Sequence, residues 1–324
     1  MSWPETVTVL SGGVGGSKFL RGLADVLPPE KITAVVNTGD DITLHGLHIS
    51  PDVDIVLYSL AGIVDEQKGW GVDGDSFRCL GAMKRLGMET WFMLGDADLA
   101  THIRRTQLLD QGLTLSEVTR RMGESLGVGV KVIPMSDDKF ETHVRTAAGW
   151  IHFQEYLVKR QMRDEVLGID FVGKESARPS PGVLDSVADS DVLIFAPSNP
   201  LVSTGTILSL HGVRETIMRR SGPTVAVSPV IGNRVVRGPL LEMMKAMKME
   251  PTSLSVARMY RGLVEGFVVD RADAHLTDKL REIGVSPLMT NILMTDRHER
   301  RRLAKEVLGF ARTLRRGSEA ERQR

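Results

Sequence analysis

The apolar run Val7-Thr8-Val9-Leu10 passes without a break into Ser11-Gly12-Gly13-Val14-Gly15-Gly16-Ser17-Lys18, and this junction constrains the fold more than any other stretch. A short run of β-branched and apolar residues predicts a buried strand. Behind the glycines, Phe19, Leu20, Leu23, Val26 and Leu27 fall at helical spacing. Strand, glycine loop and helix in that order bring bare backbone N–H groups and a helix N-terminus to one point, where an anion such as phosphate is held. The two familiar glycine patterns both fail as written. A G-x-x-x-x-G-K-[ST] loop begun at Gly12 meets Ser17 at its second glycine, and G-x-G-x-x-G from Gly13 and Gly15 meets Lys18 at its third. The expected phosphate loop therefore rests on its context, against a tight turn of purely structural purpose.

Other short apolar runs end in small and acidic residues. Ile32–Val36 precedes Asn37-Thr38-Gly39-Asp40-Asp41, Val192–Ala196 precedes Pro197-Ser198-Asn199-Pro200, and Thr224–Val227 precedes Ser228-Pro229-Val230-Ile231-Gly232-Asn233. Gly266–Val269 precedes Asp270 in the same way. Such runs read as buried parallel strands, and in an open α/β sheet ligands gather at the strands' carboxyl ends. The expected fold is a Rossmann-like three-layer α/β/α sandwich with a largely parallel sheet. From about 55 to 130 the spacing turns helical, through Ile55–Leu60, Phe77–Leu86, His102–Leu109 and a helix started at Ser116-Glu117. This predicts a mainly helical inserted lobe. Trp150–Lys174 reads as a strand or hairpin on a second lobe. One domain over 1–300 and a basic helix with a charged tail over 301–324 complete the expected organisation.

Composition narrows the class. Lysine plus arginine and aspartate plus glutamate both number 41, so a nucleic-acid binder relying on a broad basic face is disfavoured. One cysteine, Cys79, permits neither an internal disulfide nor a cysteine-rich metal site. No apolar run spans a bilayer and the first residues lack a leader pattern, so the expectation is a cytoplasmic protein without membrane or nucleic-acid partners.

The acidic residues after the second strand carry the chemistry. Asp40-Asp41 and, ten residues on, Pro51-Asp52-Val53-Asp54 crowd like charges near an expected diphosphate, which is tolerable only with a divalent cation between them. Mg²⁺ suits one or two carboxylates completed by phosphate oxygens and water. Asp41 and Asp52 equally suit helix capping, whereas Asp40 and Asp54 favour a functional role. Gly95-Asp96-Ala97-Asp98-Leu99-Ala100-Thr101-His102 forms a second acidic loop, in which His102 reads as a structural hydrogen-bonding group more readily than as a base. Asp137-Asp138 fits a turn. The loops at Ser198-Asn199 and Gly232-Asn233 suit either stiff turns or base and ribose recognition, and Arg234 and Arg237 either phosphate pairing or solvent. There is no G-x-S-x-G, H-E-x-x-H or zinc spacing, which leaves metal-assisted transfer at phosphorus.

Taken together, these segments resemble the 2-phospho-L-lactate transferase family, CofD, of deazaflavin coenzyme F-420 biosynthesis. The resemblance is carried in order by Ser11–Gly16, Val36–Asp41, Pro51–Asp54, Leu94–His102, Met135–Asp138, Ile151-His152-Phe153-Gln154-Glu155, Ala196–Pro200, Ser228–Asn233 and Leu293–Thr295. It implies transfer of a phospho-acid from a guanosine-diphosphate-activated donor to the ribityl hydroxyl of Fo (7,8-didemethyl-8-hydroxy-5-deazariboflavin), with GMP leaving. The acid would be 2-phospholactate, phosphoenolpyruvate or 3-phosphoglycerate, and a guanylyltransferase would supply the donor. By the same resemblance Asp54 contacts Fo and, with Asp40, lies at Mg²⁺ as the catalytic pair. Gly12, Gly13, Val14, Gly15, Gly16, Ser198, Asn199, Gly232 and Asn233 hold the guanosine diphosphate, and the protein is a homodimer. The chain departs from the pattern at Ala97, where a basic residue is expected between Asp96 and Asp98. The alternative is a UDP-sugar-binding regulator of the gluconeogenesis-factor type, which is disfavoured because Asp40-Asp41 runs into Ile42-Thr43-Leu44 rather than into glycines.

Overall fold

The computed structural model describes residues 4–232, 234–235 and 238–322. Seven strands form its central sheet: β1 (Val7–Ser11), β2 (Ile32–Val36), β3 (Lys131–Pro134), β4 (Val192–Phe195), β5 (Thr224–Val227), β6 (Gly266–Asp270) and β7 (Ser286–Thr290). Their order across the sheet is β7-β6-β5-β4-β1-β2-β3, and every pairing is parallel. This is the doubly wound order, reversing direction between β1 and β4, where such sheets open a crevice for ligands. The expected α/β sandwich with a largely parallel sheet is the observed fold. The last strand was not foreseen, because Pro287 interrupts its run; proline is tolerated there since β7 lies at the sheet edge.

Alternation along the strands divides the core. Val7 and Val9 of β1 pack with Phe19, Leu20 and Leu23 on one face, while Leu10 joins Val35, Phe195 and Ile207 on the other. The C-terminal helix Arg297–Arg322 lays Leu303, Ala304, Val307 and Ala311 into the first of these clusters and so belongs to the sheet's covering layer.

Between β2 and β3 lie a hairpin (Ile42–Leu44 and Leu47–Ile49) and helices α2 (Pro51–Ala61), α3 (Arg78–Arg85), α4 (Asp96–Asp110) and α5 (Leu115–Ser125). The helix following β1, α1, spans Gly13–Ala24. Pro51 at the first turn and Gly62 in the left-handed conformation (φ 76°) delimit α2. Helix α5 starts one residue earlier than Ser116 suggested: Thr114 is its cap, exchanging hydrogen bonds with Glu117 in a capping box. Between β3 and β4 a small antiparallel sheet places Glu141–Thr146 between Gly149–His152 and Gly168–Val172. Among the described residues no helix is long and apolar enough to cross a membrane.

Candidate active site at the carboxyl ends of the central strands

The glycines after β1 are required by close packing of loops. A Cβ on Gly15 would lie 2.2 Å from the Pro197 carbonyl oxygen, and one on Gly16 would lie 2.3 Å from Ser11 Oγ and 2.7 Å from Ser198 Oγ. On Gly12 it would meet Asp52 Oδ2 at 2.6 Å. Gly13 has φ +60°, a left-handed conformation that favours glycine. Ser198 ties the two central loops together: its Oγ accepts from Gly12 N at 3.0 Å and donates to Gly12 O at 2.7 Å. Val14, half-buried, accepts a hydrogen bond from Ser17 Oγ on its carbonyl. The glycine loop and the loop after β4 are thus one unit.

Beyond β2 the carboxylates crowd. Asp40 and Asp52 are each 5% exposed. Burial, then the Asp52 charge, pushes the Asp40 carboxyl well above its usual range, against a hydrogen bond with Asn37 and with a further push from Asp41. Burial likewise raises Asp52 to about 6, although Asn37 Nδ2 (2.9 Å) and the Gly13 N–H hold its charged form. Asp41 is raised by burial and steadied by His48 Nε2 at 2.9 Å and Ser50 Oγ at 2.6 Å. One oxygen of Asp40 and one of Asp41 are buried with no hydrogen-bond partner. Asp52, weighed above as a cap, instead faces the start of α1 from the first turn of α2.

Asp54 is held by an unforeseen partner. Arg105, with no exposed surface, grips both of its oxygens: Nη1 donates to Oδ2 at 3.0 Å and Nη2 to Oδ1. His102 Nδ1 lies 3.2 Å from Arg105 Nη1, and its Nε2 lies 3.3 Å from Asp98, which accepts from Tyr58 Oη at 2.8 Å. The structure therefore brings Asp40 together with Asp52 and Asp41, and gives Asp54 to a buried polar layer between α2 and α4. Among the described residues no three His, Cys, Asp or Glu side chains converge as a ready metal cage.

The remaining expected residues serve their own loops first. Asn199 Oδ1 accepts from Leu201 N at 2.9 Å in an Asx turn. Gly232, at φ +59°, donates its N–H to Asp273 Oδ2 at 3.2 Å, and Asp273 accepts from Ser253 Oγ at 2.7 Å. Asn233 and Arg237 lie outside the described residues. Ala97 lies in the first turn of α4, its N–H bound to Asp75 Oδ1 at 2.9 Å. Asp98 is inside that turn rather than at the cap, which is Gly95. Sequence reasoning missed Arg105, yet a signal was present. Asp98, His102 and Arg105 recur at i, i+4 and i+7, polar residues along a helix stripe that the fold buries.

The family model for "2-phospho-L-lactate transferase CofD" matches residues 7–308. A phosphoenolpyruvate transferase of Streptomyces griseus subsp. griseus is 42% identical over 315 residues, covering 95% of this chain and 99% of that protein. A 2-phospho-L-lactate transferase of Methanosarcina acetivorans is 39% identical over 306 residues, covering 94% and 99% respectively. Among solved structures, a member of the UPF0052 family from Bacillus halodurans is similar with a TM-score of 0.63 at 17% identity, covering 95% of this chain and all of that one, a likeness of fold alone.

Proposed function

Because the chain belongs to the CofD family of 2-phospho-L-lactate transferases, we propose that it transfers a phospho-acid from a guanosine-diphosphate-linked donor to the terminal hydroxyl of the deazaflavin Fo. One observation carries this reading. The start of α1 and the Asp40–Asp52 carboxylates meet at the point where the sheet reverses order. A helix N-terminus suits a diphosphate, whereas bare carboxylates repel it.

The residues present fit a divalent cation, since a buried, partnerless oxygen of Asp40 stands among like charges. Asp40 would hold Mg²⁺, and Asp54 would join it through the lone pairs that the Arg105 fork leaves free. When bound, Mg²⁺ neutralises charge on the diphosphate. The chain's own groups do the rest. The loop Gly12–Gly16 lines the phosphates with the N–H groups of Val14, Gly15 and Gly16, those of Gly12 and Gly13 being held by Ser198 and Asp52. Ser198, Asn199 and Gly232 shape the nucleotide's path. Arg105 fixes the direction of Asp54, which orients the Fo hydroxyl and takes its proton. That oxygen forms a new P–O bond while the bridging P–O bond breaks, and GMP departs with the electron pair. The proposal includes a single catalytic domain, a homodimer and a guanylyltransferase as donor source.

Incubation with Fo, Mg²⁺, GTP, such a guanylyltransferase and each candidate acid, followed by mass analysis, tests it. A phosphodiester of Fo with one acid is the expected product. Tight UDP-sugar binding with no such product would overturn the reading.

A further inference from the structure

The segment Ile151–Glu155 has no part in the chemistry above, yet its histidine reaches the acidic loop. His152 Nε2 lies 3.1 Å from the Asp41 carbonyl oxygen, and Gln154 N donates to His152 Nδ1 at 3.1 Å. A carbonyl can only accept and a backbone N–H can only donate, so the ring is neutral with its proton on Nε2. On the neighbouring strand, Thr142 N donates to Gly39 O at 2.7 Å. The peptide units on either side of the Asp40-Asp41 pair are therefore held by one small sheet, Glu141–Thr146 with Gly149–His152. Gly39 fits only because it lacks a side chain, since a Cβ would lie 2.8 Å from Thr142 Oγ1. The sheet is itself anchored, because Val144, Phe153 and Tyr156 are buried in the core cluster on that face.

Such a hold has a purpose. Asp40 is surrounded by Asp52 and Asp41, and carboxylates so placed drive their loop apart unless the backbone is restrained. We propose that this small sheet clamps the acidic loop and that His152 is its positioning residue, its Nε2–H on the Asp41 carbonyl keeping Asp40 in place for the ion and diphosphate. The inference rests on the proposed function only for what Asp40 binds.

The test uses full-length His152→Phe, which keeps a ring and loses the donor, and His152→Gln, whose amide N–H restores a donor at similar reach. Amide hydrogen exchange over residues 37–41 is measured in the ligand-free protein, Mg²⁺-dependent GDP binding by calorimetry, and the thermal midpoint alongside. In His152→Phe exchange rises and GDP affinity falls, each by about tenfold for one lost hydrogen bond. In His152→Gln both return to near the wild-type values, and the single cooperative thermal transition of each variant shows that it is folded. Unchanged exchange in His152→Phe would overturn the clamp, as would a His152→Gln as impaired as His152→Phe. Failure of the wild type to bind Mg²⁺ and GDP would count against the proposed function, and the exchange comparison would still decide the clamp.

Discussion

A guanidinium with no exposed surface, such as that of Arg105, is stable only while its carboxylate partner is present. Arg105→Met leaves Asp54 charged and unpaired, and Asp54→Asn leaves Arg105 so; each is expected to cost roughly 3–5 kcal/mol in urea unfolding. The double variant recovers most of that stability and remains inactive, which separates the structural use of Asp54 from its use at the hydroxyl. At Asp52 the sign runs the other way. Its carboxyl is held near 6 in the folded chain, above the unfolded value of about 3.9. Its contribution is therefore complete below about pH 4 and is lost as pH rises through 6. Ligand-free Asp52→Asn is expected to gain on the wild type by roughly 1.5 kcal/mol between pH 5 and 7.5, about half of what a shift of two units carries over its whole range. Unfolding curves at the two pH values check this.

Among the elements, the glycine turn is the least forgiving. Gly15→Ala drives a methyl to 2.2 Å from the Pro197 carbonyl, a backbone atom that cannot swing aside, so a loss of at least roughly 1–3 kcal/mol is expected together with loss of turnover. Thr114→Ala removes a cap whose hydrogen bonds stay within its own helix turn and should lower stability by about 1 kcal/mol with turnover intact. The contrast is read from thermal midpoints and initial rates. The strands at Val7, Ile32, Val192, Thr224 and Gly266 were legible because strands buried on both faces are written as unbroken apolar runs. The strand at Ser286 was not, since an edge position admits the proline that hid it. The sequence singles out Asp40 and Asp54 but does not show what stands beside either of them. Which carboxylate meets the glycine loop depends on how α2 is turned, and who grips Asp54 depends on α4, some fifty residues away in sequence. Spacing within one segment carries neither.

For the molecule as a whole, one sheet covered on both faces joins every part that the site needs. The C-terminal helix belongs to that cover: Val307 is fully buried against the β1 face, so Val307→Asp should leave the chain largely insoluble or unfolded, judged by soluble yield and circular dichroism. Solvent-facing Lys305→Asp on the same helix is the control. The pairing at the centre of the sheet has a consequence for how the protein is made. Val7 lies in register with Val192, so β1 completes one of its two ladders only after more than half of this sequence has followed it out of the ribosome. At translation speeds of about 5–20 residues per second, that edge waits for roughly ten to forty seconds. A nascent chain with an apolar edge open for so long depends on holding chaperones, and its yield should fall when synthesis outruns them.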